Sequence, residues 1–365
     1  MELGKEGQAR LERSHQMIIQ TGVRAIGPGD SLDTDRLSQW MAANVANFVG
    51  PLTIERFTGG QSNPTFRLTT PRAHYVLRRK PPGQLLPGAH AIDREARVIQ
   101  ALANVGFPVP HVHALCTDDA VIGSWFYIMD LVDGRIFWDG GLPDIPRQER
   151  HLYQDAMVET LAALHTLDPV DLGLGDFGRP DDYFARQLAR WTRQYRTDEA
   201  AGRSADMDVV ADWLQSRIPT RSRTALVHGD YRIDNLIFHP VEPRVIAVLD
   251  WELSTLGDPL VDFAYNVMMY RVPSAMPWGL ADRDLLTLGI SGEEDYVSTY
   301  CAMTGRSGIP GLDRYVVLNL FRMAAIIHGI KGRMIRGNAS SASADKMVVH
   351  MDLLAATARA ITERA

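Results

Sequence analysis

Apolar positions follow two different periods along this chain, and the change from one to the other divides it. In the first third the period is two. Leu52-Thr53-Ile54-Glu55-Arg56-Phe57 and Thr65-Phe66-Arg67-Leu68 read as strands joined by a glycine turn, and His74-Tyr75-Val76-Leu77-Arg78-Arg79-Lys80 reads as a third strand with Val76, Arg78 and Lys80 on one face. Trp125 to Met129 is a further strongly apolar strand, after the punctuation Phe107-Pro108-Val109-Pro110. Helical spacing interrupts this region twice. Leu37, Trp40, Met41 and Val45 predict a helix over Asp33 to Asn47 with Asp33 or Thr34 as its cap, and a second helix covers Asp93 to Leu102. From Gln148 onward the period is helical: Met157, Leu161 and Leu164 form one stripe, and Tyr183 to Tyr195, Met207 to Ile218, Leu260 to Tyr270, Glu293 to Met303 and Asp313 to Met334 follow. A loop over Ala339 to Ala344 precedes a last helix. Before Asp35 charges mix with Gly27-Pro28-Gly29, and Leu11, Ile18, Ile19 and Val23 support one short amphipathic helix at most. The expected class is α/β (α+β): an N-terminal arm over 1–35, a sheet-rich N-lobe over 36–130 and a mostly helical C-lobe over 131–365.

Length and composition fit that division. A chain of 365 residues is longer than one average domain, which favours two units with their own cores. A formal net charge of −6 argues against a nucleic-acid partner, which rewards a dense basic surface. Cys116 and Cys301 are the two cysteines and have no metal-site spacing, so a reducing, cytoplasmic setting is expected. The first residues lack the apolar core of a signal peptide and no apolar run approaches a membrane span, so no membrane partner is expected. The oligomeric state is left open.

The chemistry concentrates between His228 and Asp262. The first segment is His228-Gly229-Asp230-Tyr231-Arg232-Ile233-Asp234-Asn235, on a loop between short strands. The second is Asp250-Trp251-Glu252 after the apolar run Val245 to Leu249, followed by Gly257-Asp258-Pro259 and Asp262. A carboxylate, an amide five residues later and a second carboxylate at a strand exit are the groups needed to hold Mg²⁺ against nucleotide phosphates and orient an attacking hydroxyl. The catalytic candidate is therefore Asp230, which accepts or orients the hydroxyl proton, and the metal candidates are Asn235 and Asp250. An Asx-rich turn explains either segment alone, but not the ordered pair. Asp258 before Pro259 fits a helix cap better than a metal ligand. Asp262, four residues on, is placed to brace the loop by hydrogen bonding, with a solvated helix charge as the competing reading. His165, at a helix end, reads as structural.

Nucleotide candidates lie upstream. Gly59 and Gly60 let backbone N–H groups approach phosphate oxygens, with Ser62 and Asn63 as side-chain donors, although an ordinary hairpin turn has the same composition. A cation on that strand face, Arg78 or Lys80, is a candidate to hold the α- and β-phosphates, with Glu95, near the inward face of its helix, as a partner for Arg78; a solvated basic strand and a surface carboxylate are the competing reading. Met129 and Leu131 would border an adenine ring at the lobe boundary near Asp130, where a plain connector is the other reading.

These motifs resemble the aminoglycoside phosphotransferase-like, or choline-kinase-like, family, whose fold is protein-kinase-like, with a small antiparallel-sheet lobe and a larger helical one. The resemblance spans roughly Pro51 to Met334. It implies ATP and Mg²⁺ as cofactors lying between the lobes, a small hydroxylated molecule as acceptor, Asp230 as catalytic residue, Asn235 and Asp250 as metal ligands and Gly59-Gly60 over ATP. Two departures matter. Arg78 stands where the best-known antibiotic kinases have a strand lysine, with Lys80 two positions on, and arginine is not equivalent to lysine. The short interval from Asp250 to Asp258 leaves no room for a long activation loop, which argues against a protein substrate. More closely, Gly59-Gly60-Gln61-Ser62-Asn63-Pro64-Thr65 and Leu249-Asp250-Trp251-Glu252-Leu253-Ser254-Thr255 are similar to phosphotransferase domains found beside acyl-CoA dehydrogenase domains, which suggests a hydroxyacyl acceptor. Arg322, Lys331, Arg333 and Arg336 are candidates to attract an anionic substrate such as a CoA ester, with a solvated basic helix end as the competing reading. The alternatives that remain are a non-catalytic nucleotide-binding module and an aminoglycoside or macrolide resistance kinase.

Overall fold

In strand β4, His74–Arg79, alternate side chains go to opposite faces of a sheet, and this alternation organises the first half of the chain. A computed structural model of the protein describes residues 22–27, 30, 32–58, 63–81, 91–220, 223–337 and 342–365, with the backbone alone for 342–347. Strands β1 (Val23–Ala25), β2 (Thr53–Phe57), β3 (Thr65–Thr69), β4, β5 (Val112–Cys116) and β6 (Phe126–Asp130) form one sheet in the order β1-β2-β3-β4-β6-β5. Every neighbouring pair is antiparallel. Tyr75 and Leu77 join Phe66, Leu68, Phe126 and Ile128 on the face covered by Leu37 and Met41 of helix α1 (Thr34–Asn44), whose N-cap is the Asp33 carboxylate. The opposite face carries Val76 and Arg78, paired across the ladder with Met129 and Tyr127. Helix α2 (Ile92–Asn104) packs against β5 and β6 and buries Ile92, Glu95, Ala96, Val98, Ile99 and Leu102, an inward stripe at helical spacing.

Two strands of this sheet escape the sequence pattern. Val23, expected at most in a short helix of an arm, lies in edge strand β1, with Val23 opposite Phe57. Three residues are too few for a period to register. Their position is fixed from a distance by the buried carboxylate of Asp30, which pairs with Arg24 at 2.6 Å and also with Arg56. Strand β5 was likewise hidden, since His113 sits within it and a register irregularity breaks its alternation.

Contacts partition the chain into two units. The first comprises Met1–Ile136, Leu172–Leu174 and Asp234–Ser254, and the second Phe137–Asp171, Gly175–Ile233 and Thr255–Ala365. The sequence reading separates the two lobes at one point, after Asp130; the contacts cut first after Ile136 and assign Asp234–Ser254 to the first unit. The attachment is backbone pairing. Beyond β7 (Ala225–Val227), strands β8 (Leu236–Phe238) and β9 (Val245–Val248) form an antiparallel ribbon. Arg135 and Phe238 exchange two N–H to C=O bonds of 2.8 Å, and Val248 donates to the carbonyl of Pro108 at 2.9 Å. Gly134 permits the approach, because a Cβ there would lie 2.4 Å from the Phe238 carbonyl oxygen.

The second unit is mostly helical. After α3 (Arg150–Thr166), α4 (Tyr183–Thr197) and α5 (Ala205–Gln215), strand β7 pairs with β10 (Thr255–Gly257). Helices α6 (Pro259–Val267), α7 (Glu293–Thr304), α8 (Leu312–Ile335) and α9 (Ala342–Thr362) complete it. Helix α8 is the core element, buried by α4, α5, α6 and α9. Asp258 is the N-cap of α6, accepting from Leu260 N at 2.9 Å with Pro259 in the first turn, as its sequence context predicts. The last helix starts at Ala342, inside the stretch read as a loop to Ala344. No helix among the described residues is long and apolar enough to cross a membrane.

The sheet core of the first unit is tested at Phe66, which is fully buried. Phe66→Ala should lower the unfolding free energy by about 3–5 kcal/mol in a denaturant melt, through lost transfer energy and the cavity left behind.

Candidate functional site

The candidate residues fall into two clusters, one in each unit. In the first unit Arg78 leaves the sheet toward α2 with 12% of its side chain exposed. Its Nε donates to Glu95 Oε2 at 3.0 Å and its Nη2 to Asp250 Oδ1 at 2.6 Å, with Glu252 Oε2 3.5 Å away. The expected Arg78–Glu95 pair is therefore present, within a larger set. Burial works against the guanidinium's charge, but Glu95, Asp250 and Glu252 together hold it firmly protonated. Burial pushes the Glu95 carboxyl up to about 7, against the attraction of Arg78. Lys80, read on the same face, instead places its ammonium 3.9 Å from the centroid of the Trp125 ring.

The β8–β9 ribbon brings Asn235 and Asp250 to one end. Leu236 faces Val248 in the ladder, and Leu249 N donates to the Asn235 carbonyl at 2.9 Å, so both residues lie just beyond the last pair. Asp250 adopts the left-handed conformation at φ 65°, which an aspartate tolerates better than bulkier residues. The following turn is anchored by Trp251, whose indole N–H donates to the Val248 carbonyl at 2.9 Å. An amide carbonyl and a carboxylate are hard oxygen donors of the kind Mg²⁺ takes when phosphates and water supply its remaining ligands. Among the described residues no group of three His, Cys, Asp or Glu side chains is placed to hold a metal.

Glu252 had no role in the sequence reading, although its motif was visible. It accepts from Asn63 Nδ2 at 3.5 Å, which ties the strand after the glycine turn to the Arg78 cluster. Met129 is buried in β6, and Leu131 is half-buried just after it. Gly59, Gly60 and Ser62 lie outside the described residues.

In the second unit β7 leads into His228-Gly229-Asp230. The backbone N–H groups of His228 and Gly229 donate to the two carboxylate oxygens of Asp262, at 2.7 and 2.8 Å. The bracing expected of Asp262 is thus made. His165 Nε2 lies 3.2 Å from the same carboxylate, and its Nδ1 is 2.8 Å from the Tyr300 hydroxyl. A neutral imidazole satisfies both by donating to Asp262 and accepting from Tyr300. Burial alone would raise the Asp262 carboxyl, but the His165 hydrogen bond and the charge and backbone bond of His228 hold it below its ordinary value. Gly229 has φ 83°, and its carbonyl accepts from Arg322 Nη2 at 2.6 Å. This corrects the surface reading of Arg322, which is buried and holds the loop. Arg336 is also engaged, donating to both carboxylate oxygens of Asp198 at 2.6 and 2.9 Å.

Asp230 accepts from the Tyr265 hydroxyl at 2.6 Å, and Arg232 Nε is 3.5 Å from the same oxygen. Burial raises its carboxyl, but Arg232, Tyr265, Arg322 and His228 outweigh it and keep the group below the ordinary aspartate value, hence ionised at neutral pH. Beside it, Arg232 and Tyr265 border a cavity of about 30 Å³ walled by Met157, Met268, Met269 and Trp278. No carboxylate lines this cavity.

Comparison with known proteins bears on all of this. The phosphotransferase enzyme family matches residues 53–287. Acyl-CoA dehydrogenase family member 11 of Gallus gallus is 40% identical over 358 residues, covering 95% of this chain but 46% of the relative, so the chain spans less than half of that protein. A crystal structure of a Ralstonia eutropha protein, provisionally described as an aminoglycoside phosphotransferase, is 45% identical with a TM-score of 0.83 and covers 92% of this chain and 99% of its own. The aminoglycoside phosphotransferase APH(4)-Ia, solved with ADP and hygromycin B, has a TM-score of 0.59 at 17% identity over 91% of this chain and 98% of its own, a likeness of fold alone. The resemblances drawn from the motifs, including that to domains beside acyl-CoA dehydrogenases, are met.

Glu95 supplies a test of the first cluster. Its folded value of about 7 lies above the ordinary 4.5, so its contribution to stability is present below about pH 4.5 and is lost as pH rises through about 7. Glu95→Gln should remove this slope. In melts between about pH 4.5 and about pH 8, the wild type should lose up to about 3 kcal/mol relative to the variant.

Proposed function

The chain belongs to the phosphotransferase enzyme family and is a small-molecule kinase, and from that premise we propose that it transfers the terminal phosphoryl group of ATP, with Mg²⁺, to the hydroxyl of a small molecule. The observation that carries this reading is the state of Asp230: an ionised carboxylate on a loop whose backbone is tied down on both sides by Asp262 and Arg322. Such a group is suited to orient an acceptor O–H and take its proton as the new P–O bond forms and the bond to the leaving ADP oxygen breaks. Asn235 and Asp250 would hold Mg²⁺, which supplies charge neutralisation on the phosphates when bound. Arg78, kept charged and oriented by Glu95, would contact the phosphates, with Asn63, Gly59, Gly60 and Ser62 near them and Met129 and Leu131 along the base. A lysine at position 78 would offer a point charge, whereas the guanidinium fork serves Glu95 and Asp250 at once.

For the acceptor we favour a hydroxyacyl compound. One observation supports it: a relative 40% identical over 358 residues is named for acyl-CoA dehydrogenase. The experiment is a screen of hydroxylated metabolites with ATP and Mg²⁺, read as the mass gain of one phosphoryl group. On the acceptor found, Asp230→Asn should lower kcat by about 10²-fold or more with the ATP KM little changed. Asp250→Ala should raise the Mg²⁺ concentration needed for half-maximal rate. Unchanged turnover in both variants refutes the assignment.

A further inference from the structure

Helix α6 carries Asp262, Tyr265 and Asn266 at the spacing i, i+3, i+4, which puts them on one face. That face meets four successive residues of the loop. Asp262 takes the His228 and Gly229 N–H groups, Tyr265 donates to the Asp230 side chain, and Asn266 Nδ2 donates to the Tyr231 carbonyl at 3.3 Å. Three of these contacts fix backbone. Only that of Tyr265 reaches the side chain on which the proposed reaction depends.

We propose that Tyr265 is a positioning residue that aims the Asp230 carboxylate by donating to its Oδ1. The inference rests on the reading of Asp230 given above and adds a residue to it. An aspartate side chain turns about two bonds, and tying the backbone of its loop does not fix the direction of its carboxylate. A short bond from a fixed donor does. The Tyr265 ring is fixed: it is buried, and the Arg322 guanidinium lies over it at 5.2 Å from the centroid while donating to the Gly229 carbonyl. Burial, with Asp230 alongside, pushes the phenol well above its ordinary value, so it remains a donor at any working pH. The Arg232 guanidinium, with its Nε 3.5 Å from the same Oδ1, adds charge beside the carboxylate. Asn266 is held in turn by the hydroxyl of Tyr296, which keeps the end of the helix face in register with the loop.

A purely structural hydroxyl would also be buried and bonded, so the test must separate support of the fold from action through Asp230. It uses the full chain with Mg²⁺ and ATP and water as the acceptor, measured as phosphate release, and needs no identified substrate. Tyr265→Phe should lower kcat roughly tenfold or more, the value of a hydrogen bond to a charged group, with the KM for ATP within about twofold. In an Asp230→Asn background the same change should alter kcat by less than about twofold, because the residue through which it acts is already lost. Equal losses in both backgrounds, or no loss in either, overturn the proposal. An Asp230→Asn protein with wild-type kcat overturns the reading of Asp230 itself, and this inference with it. Should Tyr265→Phe melt early, fluorotyrosine at 265, which keeps the hydroxyl and strengthens it as a donor, must change kcat in the wild-type background alone.

Discussion

The second unit depends on one buried carboxylate. Asp262 sits where an uncompensated charge would cost several kcal/mol, so everything that makes it tolerable has to be assembled at once. Two consecutive backbone N–H groups point the same way because the chain turns at Gly229, and His165, whose Nε2 faces Asp262, has its other nitrogen satisfied by Tyr300. The loop conformation, the helix cap at Asp258 four residues earlier and the packing of α3 against α7 are thus coupled through a single group. Arg322 closes the arrangement from α8 by taking the Gly229 carbonyl, so an acid and a base hold the two sides of one glycine.

The first unit solves a related problem with the opposite sign. Arg78 is the buried charge there, and Glu95, Asp250 and Glu252 share it. Burial raises the proton affinity of Glu95, the most buried of the three, and the neighbouring Asp250 and Glu252 add to it against the attraction of Arg78. Such a cluster is poised to receive additional positive charge, which is what a divalent cation at Asp250 would bring.

Much of this was legible in the sequence because it is local. The period-two alternation through Tyr75 to Arg79 and the helical stripe around Glu95 were enough to bring Arg78 and Glu95 together, and the Asp258-Pro259 step with Asp262 one turn later announced both a cap and a brace. What stayed hidden is set by distant partners. Arg322 reads as one basic residue among several on a long helix, and its partner Gly229 is 93 positions away. Tyr265 lies in an apolar run, where a tyrosine looks like core. Strand β1 is three residues whose only signal is the charge of Asp30, and Glu252 was overshadowed by the acid two positions before it. No periodicity records such pairings, because each is chosen by tertiary packing rather than by local propensity.

The arginine at position 78 also decides what chemistry can reach this cluster from outside. A lysine in such a site is in equilibrium with a nucleophilic amine, and burial increases the share of that form. A guanidinium clasped by Glu95 and Asp250 has no such form within the range proteins experience. Acylating and other amine-directed reagents therefore find no handle at the heart of the cluster. The nearest amine on the same stretch of chain, that of Lys80, is engaged with the face of Trp125. At this position the strand offers a permanent charge and no nucleophile.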